Sequence, residues 1–254
     1  MPINTQYVGY ELAVNKSMRV RDFGEGEFAV KPKGEVYLPL LGGQTKADYD
    51  AYLTRGFIVP AVEPTALAIS GAIMRKPPVF EPTGSIAYLS DDFDGKENSV
   101  TNVVAGMIKE LLYAGSAGYL VEFTDKAVVK QYSKESIVNV SDDYIVLMQE
   151  YVEQDPKDKF TQVTKVEYLE LTYDESGYYI QNLWRESGKK WVIVDSLMPT
   201  NRGEPLSEIP FVFAGELSTD PTLLHLANVN LDQYRMSTDH RHGLHWTALP
   251  TLFL

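Results

Sequence analysis

Three side chains near the C-terminal end have the types and the spacing for metal chemistry. Asp239, His242 and His245 stand three residues apart, so on a helix they project to one side. Two imidazoles and a carboxylate could hold iron or manganese and support a metal-dependent enzyme. Against that, Gly243 lies inside the constellation and weakens a helix there by about 1 kcal/mol. The chain also has neither an HExxH nor a second Glu-x-x-His pair. The plainer expectation is no metal, no cofactor and no catalytic residue, with the histidines facing solvent, a neighbouring subunit or a channel.

Other chemistry-bearing stretches are weaker still. Gly42-Gly43-Gln44-Thr45-Lys46 lacks the first glycine of a phosphate loop, and no glycine precedes its lysine, so it predicts a turn into a capped helix. Gly115-Ser116-Ala117-Gly118 lies between a helix and a strand, the reverse of the order a nucleophile elbow needs. The pairs Asp91/Asp92 and Asp142/Asp143 sit in turn-like contexts, where adjacent acids stay solvated and ionised.

The element carrying the three residues opens as a helix. Asp220 can cap it, with Pro221 at the first helical position. An apolar stripe runs Leu224, Ala227, Leu231, Tyr234 and then meets Thr238, Arg241 and His242. A neighbouring subunit or further sequence is expected to complete it. The other two histidines, His225 and His240, lie on the same segment. The apolar run Ala248 to Leu254 suggests a cut through a longer polypeptide.

Upstream, Tyr7 to Arg21 predicts a weak helix ended by Asp22 to Gly26. Thr45 and Asp48 form a capping box for a short helix through Tyr49, Tyr52 and Leu53. Pro64 to Ile73 is apolar on most sides, as for a helix deeply buried or packed between subunits. Residues 79–98 are linker-like. Val100, Val103, Val104, Met107, Ile108, Leu111 and Leu112 then make a core-facing stripe, capped by Asn98 or Ser99 and stopped by Gly115.

From there the period becomes that of strands. They are expected at Tyr119–Phe123, Val128–Tyr132, Ile137–Val140, Tyr144–Tyr151, Val163–Tyr173, Tyr178–Trp184 and Lys190–Leu197, and at Ile209 to Phe213, where Pro210 marks an edge. The fold class is α+β, a helical N-terminal part packed on an antiparallel meander and followed by a long C-terminal helix.

Composition narrows the function. Hydrophobic residues at 44% and charged residues at 23% are ordinary for a folded domain. With no cysteine, disulfides, thiolate metal sites and cysteine nucleophiles are excluded. No run approaches ~18 apolar residues, and the first residues lack the basic start and apolar centre of a signal peptide. An intracellular setting, or a particle assembled inside a cell, is expected. Net charge is −12, balanced over residues 1–56 and acidic in every later stretch. A protein that grips DNA needs clustered cations, whereas an acidic surface lets a duplex pass without sticking.

Several blocks, in order, resemble the bacteriophage portal (head–tail connector) family. They are Arg21-Asp22 with Gly26-Glu27 and Ala29-Val30-Lys31; Gly34 to Pro39; Leu41 to Gln44 with Asp48-Tyr49 and Tyr52; Ser70 to Pro78; Leu112 to Val121; and Ile209-Pro210-Phe211. The last comprises Leu224, Leu226-Ala227, Asn230, Tyr234-Arg235, Asp239, His242 to His245 and Leu249-Pro250-Thr251.

The resemblance covers residues 20–254 and the first half of a typical portal. It implies a wing-like α+β domain over 1–215 and the start of a stem-like helical segment over 216–254. It further implies a homo-oligomeric ring of twelve subunits at one capsid vertex of the virion, assembled in the host cytoplasm. Major capsid protein, terminase, tail or adaptor proteins and double-stranded DNA passing through would be its partners. Leu224, Leu231, Tyr234, Arg235, Asp239, His242 and His245 are the candidate subunit-interface or channel residues. Another head–tail adaptor or tail subunit is the alternative.

Overall fold

The computed structural model describes residues 2–123, 126–155, 158–201 and 203–247. The first helix, α1 (Tyr10–Glu25), runs past the expected stop at Asp22. Phe23 turns into the core, and the buried Asp22 accepts from the Tyr37 hydroxyl at 2.6 Å, so both stay helical. Gly26, at φ 83, ends the helix. One turn, α2 (Glu27–Val30), and a 3-10 segment, Lys31–Val36, follow.

The capping box forms as expected and opens α3 (Lys46–Arg55): Thr45 Oγ1 accepts from Asp48 N at 3.2 Å, and Asp48 accepts from Thr45 N at 3.3 Å. The apolar helix α4 (Val62–Ile73) buries Val62 and Ala66 but leaves Leu67 and Ile73 more than half exposed. It is therefore not deeply buried within the chain. Ser99 caps α5 (Val100–Ala114), and Gly115, at φ 81, stops it. Burial along its stripe deepens toward the end, at Ile108, Leu112 and Tyr113.

Among the described residues, ten strands follow five helices. They are β1 (Ala117–Phe123), β2 (Ala127–Ser133), β3 (Ile137–Val140), β4 (Ile145–Asp155), β5 (Asp158–Tyr173), β6 (Tyr179–Ser187), β7 (Lys190–Leu197), a short pair β8 (Thr200–Asn201) and β9 (Glu204–Pro205), and β10 (Phe211–Ala214). Strands β3 to β7 form an antiparallel meander in sequence order, and β10-β1-β2 form a second antiparallel sheet. β10 takes the edge, and the Pro210 carbonyl accepts from Val121 N at 2.9 Å. The stretch 79–98 holds one 3-10 turn, Gly84–Ser90. It is stitched to β2 by Tyr88 Oη on the Ala127 carbonyl at 2.6 Å and by Val129 N on the Phe93 carbonyl at 2.9 Å.

The chain closes with α6 (Leu224–Thr247). It starts three residues later than the Asp220-Pro221 signal predicts. The Asp220 carboxylate is taken by Lys16 Nζ of α1 at 2.7 Å, and Leu223 N donates out of the helix to the Leu112 carbonyl at 3.2 Å. These contacts hold Asp220 to Leu223 in a turn against α1 and α5. The fold is α+β, with the long helix following the meander.

Two apolar cores result. Val20, Phe23, Tyr37, Tyr52, Leu112, Ala227, Leu231 and Tyr234 build the helical one. Leu120, Ile137, Leu147, Leu171 and Tyr179 build the other, between the sheets. At the α5–β1 turn the chain packs without room to spare: a Cβ on Gly118 would lie 2.1 Å from the Phe211 ring, and one on Gly115 2.5 Å from the Thr219 carbonyl.

Buried Lys134 and half-buried Arg21 pin this junction. Lys134 Nζ donates to the carbonyls of Ala114 and Thr219 at 3.2 and 2.7 Å. Arg21 bridges Glu135, at 2.8 and 2.9 Å, and Glu110.

Candidate functional site on the C-terminal helix

The apolar stripe of α6 is completed by the chain itself. Leu224, Leu231 and Tyr234 lie inside the helical core at 8%, 6% and 0% exposure, so they are packing residues covered by their own chain and offer nothing to a partner or channel. Thr238, where the stripe was expected to fail, is fully buried: its hydroxyl satisfies itself on the Tyr234 carbonyl at 2.7 Å. The surface covering this face is α1, α3 and the extended segment Gly56–Val59.

That segment is held by a row of polar side chains one turn apart. Asn230 Nδ2 donates to the Val59 carbonyl at 2.7 Å. Gln233 accepts from Val59 N and donates to the Phe57 carbonyl, both at 3.1 Å. Ser237 Oγ accepts from Phe57 N at 3.2 Å and donates to the Phe57 carbonyl at 2.8 Å. The backbone of this extended segment thus finds its partners on a helix face. The recurrence of Asn230, Gln233 and Ser237 at spacings of three and four carried this signal in the sequence, hidden because only apolar residues were counted there.

The other candidates lie beyond. Arg235 Nε donates to the Tyr37 carbonyl at 2.8 Å. Asp239 accepts from the Tyr52 hydroxyl, whose pKa is pushed well above the usual tyrosine value by burial and then by this carboxylate. His242 Nδ1 lies 2.9 Å from Arg55 Nη1, and its Nε2 lies 3.0 Å from the Trp246 indole nitrogen. The ring stands edge-on to Tyr52 at 5.1 Å between centroids. His245 is exposed and meets only the edge of Trp246, at 6.0 Å between centroids, among its ring contacts.

The three metal candidates are therefore not assembled: Asp239 faces a hydroxyl, His242 a guanidinium and an indole, and His245 solvent. Among the described residues no group of three His, Cys, Asp or Glu could hold a metal ion. Ala248 to Leu254, with the Leu249-Pro250-Thr251 block, lie outside the described residues.

The remaining sequence candidates settle as turns. Gly43, at φ 83, belongs to the bend before α3. Ser116 is fully buried in the α5–β1 turn. Asp92 binds Lys126, which holds its carboxyl below the usual range. Beside α5, an open recess of about 510 Å³ is lined by Asp94, Lys96, Asn98, Asn102, Lys130 and Gln131 among others. What the sequence did not reveal is the partly buried Arg21–Glu110–Glu135 triad and the buried Lys134, because single charged residues carry no pattern.

No protein-family model matches the chain, and no curated protein is significantly similar to it.

Proposed function

We propose that this chain is a structural subunit of a phage portal ring, a channel at the capsid vertex through which double-stranded DNA passes during packaging and ejection. Terminase, the major capsid protein and tail or adaptor proteins are its partners. The observation that supports this most is spatial. The blocks resembling the portal family are scattered along the chain, yet they touch one another. Arg235 binds the Tyr37 carbonyl across 198 residues, and Tyr52 binds Asp239 across 187. Gly118 makes room for Phe211. A net charge of −12 adds a physical reason for a duplex to slide and not stick.

The test is the assembly state of the intact gene product, by mass photometry and negative-stain microscopy. A closed ring of roughly a dozen copies is expected, built from heterologous contacts whose rotation closes. Monomers alone at micromolar concentration refute the proposal.

A further inference from the structure

One face of the meander carries three aromatic rings that belong to neither apolar core. Tyr168 on β5 stands directly opposite Trp184 on β6, and Trp191 on β7 stands opposite Glu186, so the three rings share a face of three adjacent strands. All three are partly exposed. The Tyr168 and Trp191 rings meet edge to face, 4.8 Å between centroids.

A polar network beside the rings is already fixed. Glu170 Oε2 accepts from the Trp184 indole N–H at 2.9 Å and from Asn182 Nδ2 at 3.1 Å, and Asn182 Oδ1 accepts from Ser196 Oγ at 2.7 Å. Glu170 Oε1 has no hydrogen-bond partner among the described residues. The Trp184 indole is thus held in one orientation, next to a carboxylate oxygen free to accept.

These groups line an open recess of about 490 Å³, with Pro2, Ile3 and the Lys189-Lys190 pair on its other walls. Its charges select the ligand. Glu170 and Glu186 oppose an anion, and Lys189 and Lys190 oppose a cation. A neutral molecule remains, with an apolar face for the rings and hydroxyls for the carboxylate and ammonium groups. A pyranose has both: its ring C–H groups suit the negative face of an aromatic ring, and its hydroxyls donate and accept. We propose that this face is a carbohydrate site, which stacks a neutral pyranose on Trp184 and Trp191 and receives one of its hydroxyls on Glu170 Oε1. An open platform with so few polar contacts binds weakly, and a short oligosaccharide gains over a single ring by covering more of it.

Indole fluorescence and saturation-transfer NMR of the full 254-residue protein test this, in titrations with glucose, galactose, N-acetylglucosamine and their trisaccharides. At least one sugar is expected to give a saturable change, half complete at about 1–10 mM. Trp191→Ala should weaken it about tenfold by removing a stacking ring. Glu170→Gln keeps an acceptor for the Trp184 indole but removes the charge, and should also weaken binding about tenfold. Trp246→Phe, on α6, should leave it unchanged. Circular dichroism confirms the fold of each variant, and should Trp191→Ala lose it, Glu170→Gln carries the same test. The proposal is overturned by no saturable change with any of these sugars, or by equal affinity in folded Trp191→Ala and Glu170→Gln. Saturation by tetramethylammonium or a single-stranded oligothymidylate in place of the sugars overturns it as well. Binding is read on the single chain: a monomer that binds sugar overturns only the ring reading, and a ring that binds none overturns only this one.

Discussion

Gly56 should be the least replaceable glycine of the α3–α6 contact. Its φ of −58 and ψ of 146 suit any residue, so alanine brings no backbone strain and the whole effect is steric. An added Cβ would sit 2.4 Å from Tyr234 Cε2 and 2.5 Å from Thr238 Oγ1, against 3.4 Å or more for an ordinary contact. Both neighbours are fully buried, so the relief of about 1 Å must come from lifting the 56–59 segment off α6.

Overpacking of this kind costs about 1–3 kcal/mol. Lifting strains the bonds from Asn230, Gln233 and Ser237, each contributing about 1 kcal/mol at most. The chain takes the cheaper mixture, and Gly56→Ala is expected to lose about 3 kcal/mol. In urea this is a midpoint shift of about 1 M at unchanged slope. Gly71→Ala is the matched control: its Cβ meets nothing within 4 Å, it lies inside α4, and it should stabilise by about 0.5–1 kcal/mol. A change below about 0.5 kcal/mol in Gly56→Ala would refute the packing account of this contact.

Three further outcomes follow from the buried polar groups. Arg21→Met leaves the Glu110 and Glu135 carboxylates facing each other without their cation and should destabilise by about 2–3 kcal/mol, less than a fully buried pair because Arg21 is partly exposed, as urea titration would show. Tyr234→Phe should be neutral or slightly stabilising in the same assay, because the buried hydroxyl has no hydrogen-bond partner among the described residues. Alkaline stability should fall steeply. Burial raises the hydroxyls of Tyr10 and Tyr234 to about 12, and those of Tyr37, Tyr113, Tyr132 and Tyr179 well above the ordinary tyrosine value. The folded chain keeps these protons while the unfolded chain loses them, so the stability is whole below about pH 10 and is lost as pH rises beyond it, by up to about 1.4 kcal/mol per unit per tyrosine. Lys134, lowered by burial, works the other way but is a single group. A denaturation midpoint that is level from pH 9.5 to 11 would contradict this.

Local signals carried most of the fold. The Thr45–Asp48 box, the Ser99 cap and the Gly115 stop are written in neighbouring residues, and all three form. The meander was legible because each strand alternates beside a turn such as Gly177 or Gly188, both at positive φ. What failed to show was settled by partners far away in sequence. Asp220 has the makings of a cap, but Lys16 lies 204 residues off and takes its carboxylate. The same is true of the candidate site. Asp239 and His242 share the helix side that invites a metal, and Tyr52 and Arg55, both 187 residues away, determine what each does there.

The treatment of the stripe on α6 bears on how such a chain could serve in a ring. Were Leu231 and Tyr234 unpaired, assembly would have to supply their cover, and the isolated chain would be expected to aggregate. Instead α1, α3 and Gly56–Val59 cover them, so α6 is anchored within its own chain. The apolar groups left uncovered on its distal turns, Leu244 and Trp246, sit where attachment to the body is thinnest. A helix buried for its first half and weakly tethered for its second can keep one end fixed while the other changes partner.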